Sequence, residues 1–262
     1  MKTSIISRKE RSAGVKALLL LLSVAFWIAV WHFASLALNN VLLLPSPLGV
    51  AKTLYMLATT PEFYRITATT LWRILQGLLF GLLAGILTSS LAAVSEPLNI
   101  LFTPLIAVTR ATPVASFIIL VWSFTGGEVL PVFVSAIIVA PVVHSNLLAG
   151  FKSIDVQLRE TAKVFELSFA TKLRILYFPS VIPFFASALT SALGLAWKAG
   201  IAAEVLAYTS TSIGHEIYKA KSLLEMPELF AWTITVIAIS MIFEYVIKQL
   251  INLLPRGYRN AK

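Results

Sequence analysis

The 262-residue sequence contains no cysteine, which removes disulfides, thiolate metal sites and cysteine nucleophiles from consideration. Charge is nearly as scarce. Asp, Glu, Lys and Arg make up 13% of the residues, about half of what a soluble domain carries. The three histidines are far apart, so no paired-His metal spacing is present. No Gly-x-x-x-x-Gly-Lys-Ser/Thr run is available to cradle a nucleotide phosphate. Carboxylates are not clustered in the way that a lipid-modifying enzyme needs near one membrane face. The expectation is a chain with no catalytic residue, no metal and no cofactor, which leaves an integral-membrane lipid enzyme as a rival without a motif.

Hydrophobic residues are abundant instead, at 58%. They fall in runs such as Ala17 to Leu38 and Ala231 to Leu254, each long enough to cross a hydrocarbon layer that needs about 20 helical residues. Stretches such as the five leucines from Leu18 do not alternate as a barrel strand would, and lipid then requires helices. The sequence predicts an all-α, polytopic membrane bundle with spans at 17–38, 69–94, 100–124, 130–150, 180–205 and 229–254. The third is interrupted by Pro104, Arg110 and Pro113, which permits a surface helix followed by a shorter span. The first apolar run, preceded by Lys2, Arg8, Lys9, Arg11 and Lys16, is too long for a signal-peptide core and reads as a retained span.

The net charge of +9 does not point to nucleic acid, because Lys and Arg sit mostly at span ends and not on one water-facing surface. Five basic residues lie in 1–16, five in 151–178 and four in 248–262, against Lys52, Arg65, Lys219 and Lys221 in the opposite loops. The asymmetry predicts that both termini and the 151–178 segment are cytoplasmic. The chain reads as a cytoplasmic N-terminal segment, 1–16, and one membrane domain, 17–262, with one sizeable loop at 151–178.

Gly77, Gly81, Gly85 and Ser89 are spaced four apart and form a small-residue groove along one helix face. Packing within the subunit and packing between subunits are both open. Within the loop, Leu158, Ala162 and Phe165 recur at helical spacing among charged residues and predict an amphipathic helix. Ser168 is placed to cap a second short helix, Phe169 to Tyr177, which Pro179 would close. Arg110, Lys198 and Glu204 lie in or near spans, where an ionised group costs about 2.5 to 3.5 kcal/mol unless paired or hydrated. They are expected to face the bundle interior. For Arg110 and Lys198 the readings are contact with an anionic solute or structural pairing; for Glu204, a pathway residue or a solvated span end. Trp197 would wall a pathway or pack in the core. His144 reads as a packed residue, and Glu244 with Lys248 as a neutralising i, i+4 pair.

The chain resembles the permeases of type I ATP-binding-cassette importers, especially the nitrate, sulfonate and taurine group. Their cytoplasmic motif runs Glu-Ala-Ala, three residues, Gly, then about nine residues to an apolar-Pro pair. Here Glu160, Ala162 and Pro179 match, whereas Thr161 departs and Glu166 stands where the family has Gly. Further fragments fall in family order: Leu44-Pro45-Ser46-Pro47, Thr70-Leu71-x-Arg73 with Gly77, Thr112-Pro113-x-Ala115 with Gly126-Gly127, Ala196-Trp197 with Ala203-Glu204, and Ile213-Gly214-x-x-Ile217. The resemblance implies a multi-pass subunit of a bacterial cytoplasmic membrane. Its partners would be two cytoplasmic ATPases that bind the loop through Glu160, Ala162, Lys163, Glu166 and Pro179, a second permease copy, and an external solute-binding protein. The solute would be a small anion such as nitrate, a sulfonate or taurine. A channel or secondary transporter without an ATPase is the chief rival.

Overall fold

The computed structural model describes residues 13–252; the basic N-terminal residues up to 12, and 253–262 at the other end, lie outside it. The described residues form eleven α-helices: α1 Ala13–Leu38, α2 Pro47–Ala58, α3 Pro61–Val94, α4 Glu96–Ala111, α5 Val114–Thr125, α6 Leu130–Lys152, α7 Val156–Val164, α8 Phe169–Lys172, α9 Phe178–Leu206, α10 Ile213–Ser222 and α11 Met226–Asn252. Five helical stretches are long and apolar enough to cross a membrane, and a sixth exists if α4 and α5 count as one broken span.

The core is a stack of α3, α6 and α9. Ile74 and Leu78, Val139, Val143 and Leu147, and Ala188, Ala192, Leu193, Ala196 and Trp197 form its largest buried cluster. The glycine groove answers the question left open by the sequence, because it packs within the subunit. A Cβ built on Gly77 would lie 2.5 Å from the Ser135 Cβ and 2.7 Å from the Val132 carbonyl oxygen. On Gly81 it would meet Val139 Cβ at 2.5 Å and the Ala136 oxygen at 2.7 Å, and on Gly85 it would meet Val143 Cβ at 2.5 Å. The repeat along α3 thus matches one along α6, Ser135, Val139 and Val143, and the helices approach with no α3 side chain between them. His144 packs on the same seam, with its Nδ1 3.0 Å from the Thr88 hydroxyl.

The expected third span is broken. α4 and α5 meet at 106°, and α5, with 12 residues, is only about 18 Å long and too short to cross alone. Pro113 has no N–H to continue the ladder, and it holds Thr112 in the extended region at φ −73°, ψ 126°. The second span starts earlier than position 69, because Pro61 is suited to a first helical position and Thr60 caps the helix, accepting from the Phe63 N–H. Ser46 similarly caps α2, with Pro47 in its first turn.

The break expected at Pro179 does not occur. From Phe169 to Leu206 the chain is one helical rod, with a wide turn over Leu173–Tyr177 in which the Phe178 N–H reaches back five residues to the Leu173 carbonyl. Proline lacks an N–H and its ring crowds the carbonyl four residues before it; a wider turn relieves that crowding without ending the helix.

α1 stands apart. Its attachments are the Trp31 indole, which donates to the Pro45 carbonyl at 3.0 Å, and the stacking of the same ring on Phe230 at 5.9 Å. The i, i+4 pair of Glu244 and Lys248 on α11 is formed.

The seam gives the first prediction. Gly81→Val places new atoms against backbone as well as side chain, so it should exceed the usual cost of overpacking, about 1 to 3 kcal/mol. Gly194→Ala, with nothing within 4 Å of its built Cβ, is the control. Thermal unfolding of the purified proteins in detergent should show a clear drop for the first and little change for the second. A Gly81→Val protein that melts with the wild type would contradict the close approach.

Candidate functional site

Three regions carry the sequence-predicted residues. The first is the 153–177 segment at the end of the bundle where α6 joins α9. Asp155 caps α7, accepting from the Gln157 N–H at 2.8 Å, and Arg159 donates to the Phe151 carbonyl at the end of α6 at 2.6 Å. This cation on a free helix-terminal carbonyl holds α7 to the bundle. α7 then ends in a tight reversal: the Leu167 N–H donates to the Ala162 oxygen at 3.1 Å and the Glu166 N–H to the Lys163 oxygen at 2.9 Å. These are the two bonds of a Schellman cap, whose turning residue adopts left-handed backbone. That residue is Glu166, at φ +49°, so the turn that the family builds with Gly is made here with Glu.

Ala162 is not the exposed contact that the sequence suggested. It is buried with Ile154 and Leu176, and Leu167 and Tyr177 pack against them, so it joins the two short helices to each other. The apolar face read from Leu158, Ala162 and Phe165 is divided: Leu158 and Phe165 point outward with Val164 and Phe169, and Phe165 is 72% exposed. Glu160 and Lys163 are exposed and border a cleft of about 380 Å³ that also contains Arg159 and Lys172. Pro179 lies in the first turn of α9.

The second region is a lateral face. Lys198 is exposed, on a stripe of α9 with Ser187, Ser191 and Leu195. Arg110, at the end of α4, is also exposed and donates to the Ser145 hydroxyl at 3.2 Å. Neither points into the interior of this chain, contrary to expectation; the main buried cluster there is Ile, Leu, Val, Ala and Trp, where an ionised group is expensive. Neither has an ion-pair partner among the described residues. Arg110 borders a cavity of about 330 Å³ beneath the α4–α5 bend, together with Thr109, Thr112, Phe117, Pro141 and Leu195. Leu195 and Lys198 are one turn apart, so the cavity opens onto the Lys198 stripe. Trp197 faces the other way, into the α3–α6–α9 core, which is the packing reading of the two that the sequence left open.

The third region, at the end of the bundle away from the 153–177 segment, centres on Glu204. It is neither a solvated span end nor on the lateral face, being 0% exposed. Its Oε2 accepts from the Thr70 hydroxyl at 3.0 Å and the Gly214 N–H at 3.2 Å, while the Thr70 oxygen accepts from the Ile213 N–H at 2.9 Å. Arg73 lies 3.9 Å from Glu204 Oε1 and forms a closer pair with Glu128. Gly214 has to be glycine, because a Cβ there would lie 2.3 Å from the Glu204 Cβ. Reading single spans missed Thr70, Arg73, Glu128 and Gly214 as one site. The usable signal was the set of family-like fragments, Thr70-x-x-Arg73, Gly127, Glu204 and Ile213-Gly214, which converge here although Thr70 and Ile213 are 143 positions apart.

The family model for the binding-protein-dependent transport system inner membrane component matches residues 77–260. The chain belongs to this family. It is an ABC importer permease, a multi-pass inner-membrane component similar to those of the nitrate, sulfonate and taurine group. A permease of Escherichia coli (strain K12) named for aliphatic sulfonates is 30% identical over 213 residues, covering 78% of this chain and 81% of that one. The taurine transport system permease of the same organism is 26% identical over 227 residues, covering 84% and 82%. In fold, the permease matches a chain of a bacterial alginate ABC transporter, solved in complex with an alginate pentasaccharide-bound periplasmic protein. The TM-score is 0.61 at 18% identity, over 94% of this chain and 97% of that one.

The cap at Glu166 gives a paired prediction for this permease. Left-handed backbone costs an L-residue about 1 to 2 kcal/mol, so Glu166→Gly should stabilise the α7–α8 turn by about 1 kcal/mol. Ala162→Trp should disrupt the turn by overfilling the Ile154–Leu176 cluster. Amide hydrogen exchange at 162–167 reads both: slower exchange for Glu166→Gly and faster for Ala162→Trp. Faster exchange in Glu166→Gly would show that the Glu side chain, and not the turn, sets local stability.

Proposed function

We propose that this permease carries a small anion across the cytoplasmic membrane along the lateral face that bears Lys198 and Arg110. The observation that carries the reading is two exposed cations, Lys198 on the α9 stripe and Arg110 at the end of α4, in an apolar bundle that lipid should cover. An ionised group exposed to hydrocarbon is expensive; facing a hydrated path shared with a second copy of the chain, it attracts anions. Lys198 lies eight residues from the end of α9 and Ser145, the Arg110 partner, seven from the end of α6, about 12 and 10 Å from opposite ends of the bundle. A solute would therefore meet two cations in sequence, with the 330 Å³ cavity beside the second. The sulfonate and taurine relatives support a solute with a small anionic head.

The 153–177 segment is the coupling element in this reading. It presents Val164, Phe165 and Phe169 beside exposed Glu160 and Lys163, and a contiguous apolar patch on a water-facing loop marks a protein contact. Cytoplasmic ATPases would grip this patch and move the loop as a rigid lever attached to α6 and α9. Orientation follows the basic-residue asymmetry: this segment and both termini inside, α10 and the Glu204 end outside, where a solute-binding protein delivers its cargo.

Lys198→Met and Arg110→Gln each should cut uptake at least about tenfold, the factor lost with roughly 1.4 kcal/mol of favourable contact. Assembly and basal ATPase activity of the purified complex should persist. Uptake at the wild-type rate by an assembled double mutant would remove both residues from the path. Absence of any co-purifying ATPase would instead favour a channel or secondary transporter.

A further inference from the structure

The chain between Glu204 and Gly214 leaves and returns at one point. Its two ends are pinned by buried bonds: Glu204 Oε2 holds the Gly214 N–H, and Thr70, which donates to that same oxygen, holds the Ile213 N–H. Between them the chain bulges as a compact loop, 207–212, with ends that touch. The stem is dry, since Thr70, Glu204, Ser212, Ile213 and Gly214 are all buried.

The tip is held differently. Glu128, from the turn between α5 and α6, accepts from the Ser210 N–H at 3.2 Å and the Ser210 hydroxyl at 2.6 Å. Arg73 donates to the Ser210 and Thr211 carbonyls at 3.1 and 3.4 Å and pairs with Glu128. Thr209 donates to the Gly127 carbonyl at 2.9 Å. The Glu128 side chain is 58% exposed and that of Arg73 13%, so water reaches the pair from the carboxylate side and screens it there. The backbone at the tip is also strained, with Tyr208 at φ +51° and Thr211 at φ +46°, a conformation that a non-glycine residue keeps only while its surroundings enforce it.

Arg73 is shared. It grips Glu128 while standing 3.9 Å from Glu204 Oε1, an oxygen that has no hydrogen-bond partner. A guanidinium released from the tip has a second carboxylate within a small side-chain movement, so opening leaves no buried charge uncompensated. The loop follows directly on α9, the helix that carries Lys198, and Leu206, Tyr208 and Ser210 are exposed there, with the Tyr208 ring 4.2 Å from His215.

We propose that the 207–212 loop is a gate at the outer mouth of the anion path, hinged on the Glu204–Thr70–Gly214 stem and latched by Glu128 and Arg73, with Arg73 passing to Glu204 when the latch opens. Glu128 and Arg73 are positioning residues, which set the loop without touching solute. The assignment rests on the lateral-face path proposed above, and its test reads access to that face without requiring transport.

A single cysteine is placed at Ser191 in this Cys-free chain, in membrane vesicles, and labelled by an impermeant thiol reagent from the side that labels a cysteine at Tyr208. Glu128→Gln keeps the shape and removes the charge; it should speed labelling at 191 about fivefold, the factor that an exposed ion pair at the upper end of its range supplies. In a second background, Glu128→Cys and Ser210→Cys joined by a short bifunctional thiol reagent, with 191 left free by limiting reagent, should slow labelling strongly. Reductive cleavage of the linker should restore it, which also shows that the variant is folded. Labelling at 191 that is indifferent to the cross-link overturns the gate, whatever Glu128→Gln does. If position 191 cannot be labelled from either side in any background, including the cleaved one, the lateral-face path itself fails and the gate with it.

Discussion

The backbone-to-backbone approach of α3 and α6 is the constraint on which the rest of the permease depends. Three glycines spaced four apart bring the helix axes together, and the third core helix is set against that pair. α9 closes the third side with Ala188, Ala192 and Ala196, and its own Gly200 would carry a Cβ only 2.8 Å from Ile74 and 2.9 Å from the Ser135 hydroxyl. The Thr70 hydroxyl reaches Glu204 because the helices that carry them are held this close. In lipid no hydrophobic force gathers apolar helices, so packing among small residues and a few internal hydrogen bonds have to do it. The core meets both conditions with Gly and Ala at the contacts and one buried carboxylate at the end.

Five of the six spans were legible from hydropathy because each is a long apolar run, and hydropathy measures that directly. What it missed has specific causes. Thr60 and Ser46 start helices through capping chemistry that a hydropathy window averages away. Pro179 was read as a stop, yet the helix absorbs it in a wide turn that relieves the crowding of its ring. Pro113 did stop its helix, because Thr112 before it is held extended and no wide turn precedes it. Two prolines in similar apolar contexts thus had opposite effects, and the difference lies in backbone that a sequence does not display.

The candidate residues divided in the same way. Lys198 and Arg110 were found because charge in an apolar run is conspicuous, although their direction was misjudged: a single chain cannot show which of its surfaces another copy will cover. Glu204 was visible as a charge but its role was not, because its partners lie 134 and 10 positions away. Ala162 and Glu166 came from a family motif, and each proved to shape the turn internally. The motif records the fold of the short segment as much as any surface that it presents.

α1 has a consequence for how the permease lives in its bilayer. Among its described side chains only Ser35 is buried, and one indole ties it to the rest. A helix that buries so little in its own chain leaves its remaining apolar surface to lipid or to a second copy of the chain, and its tilt follows whichever packs against it.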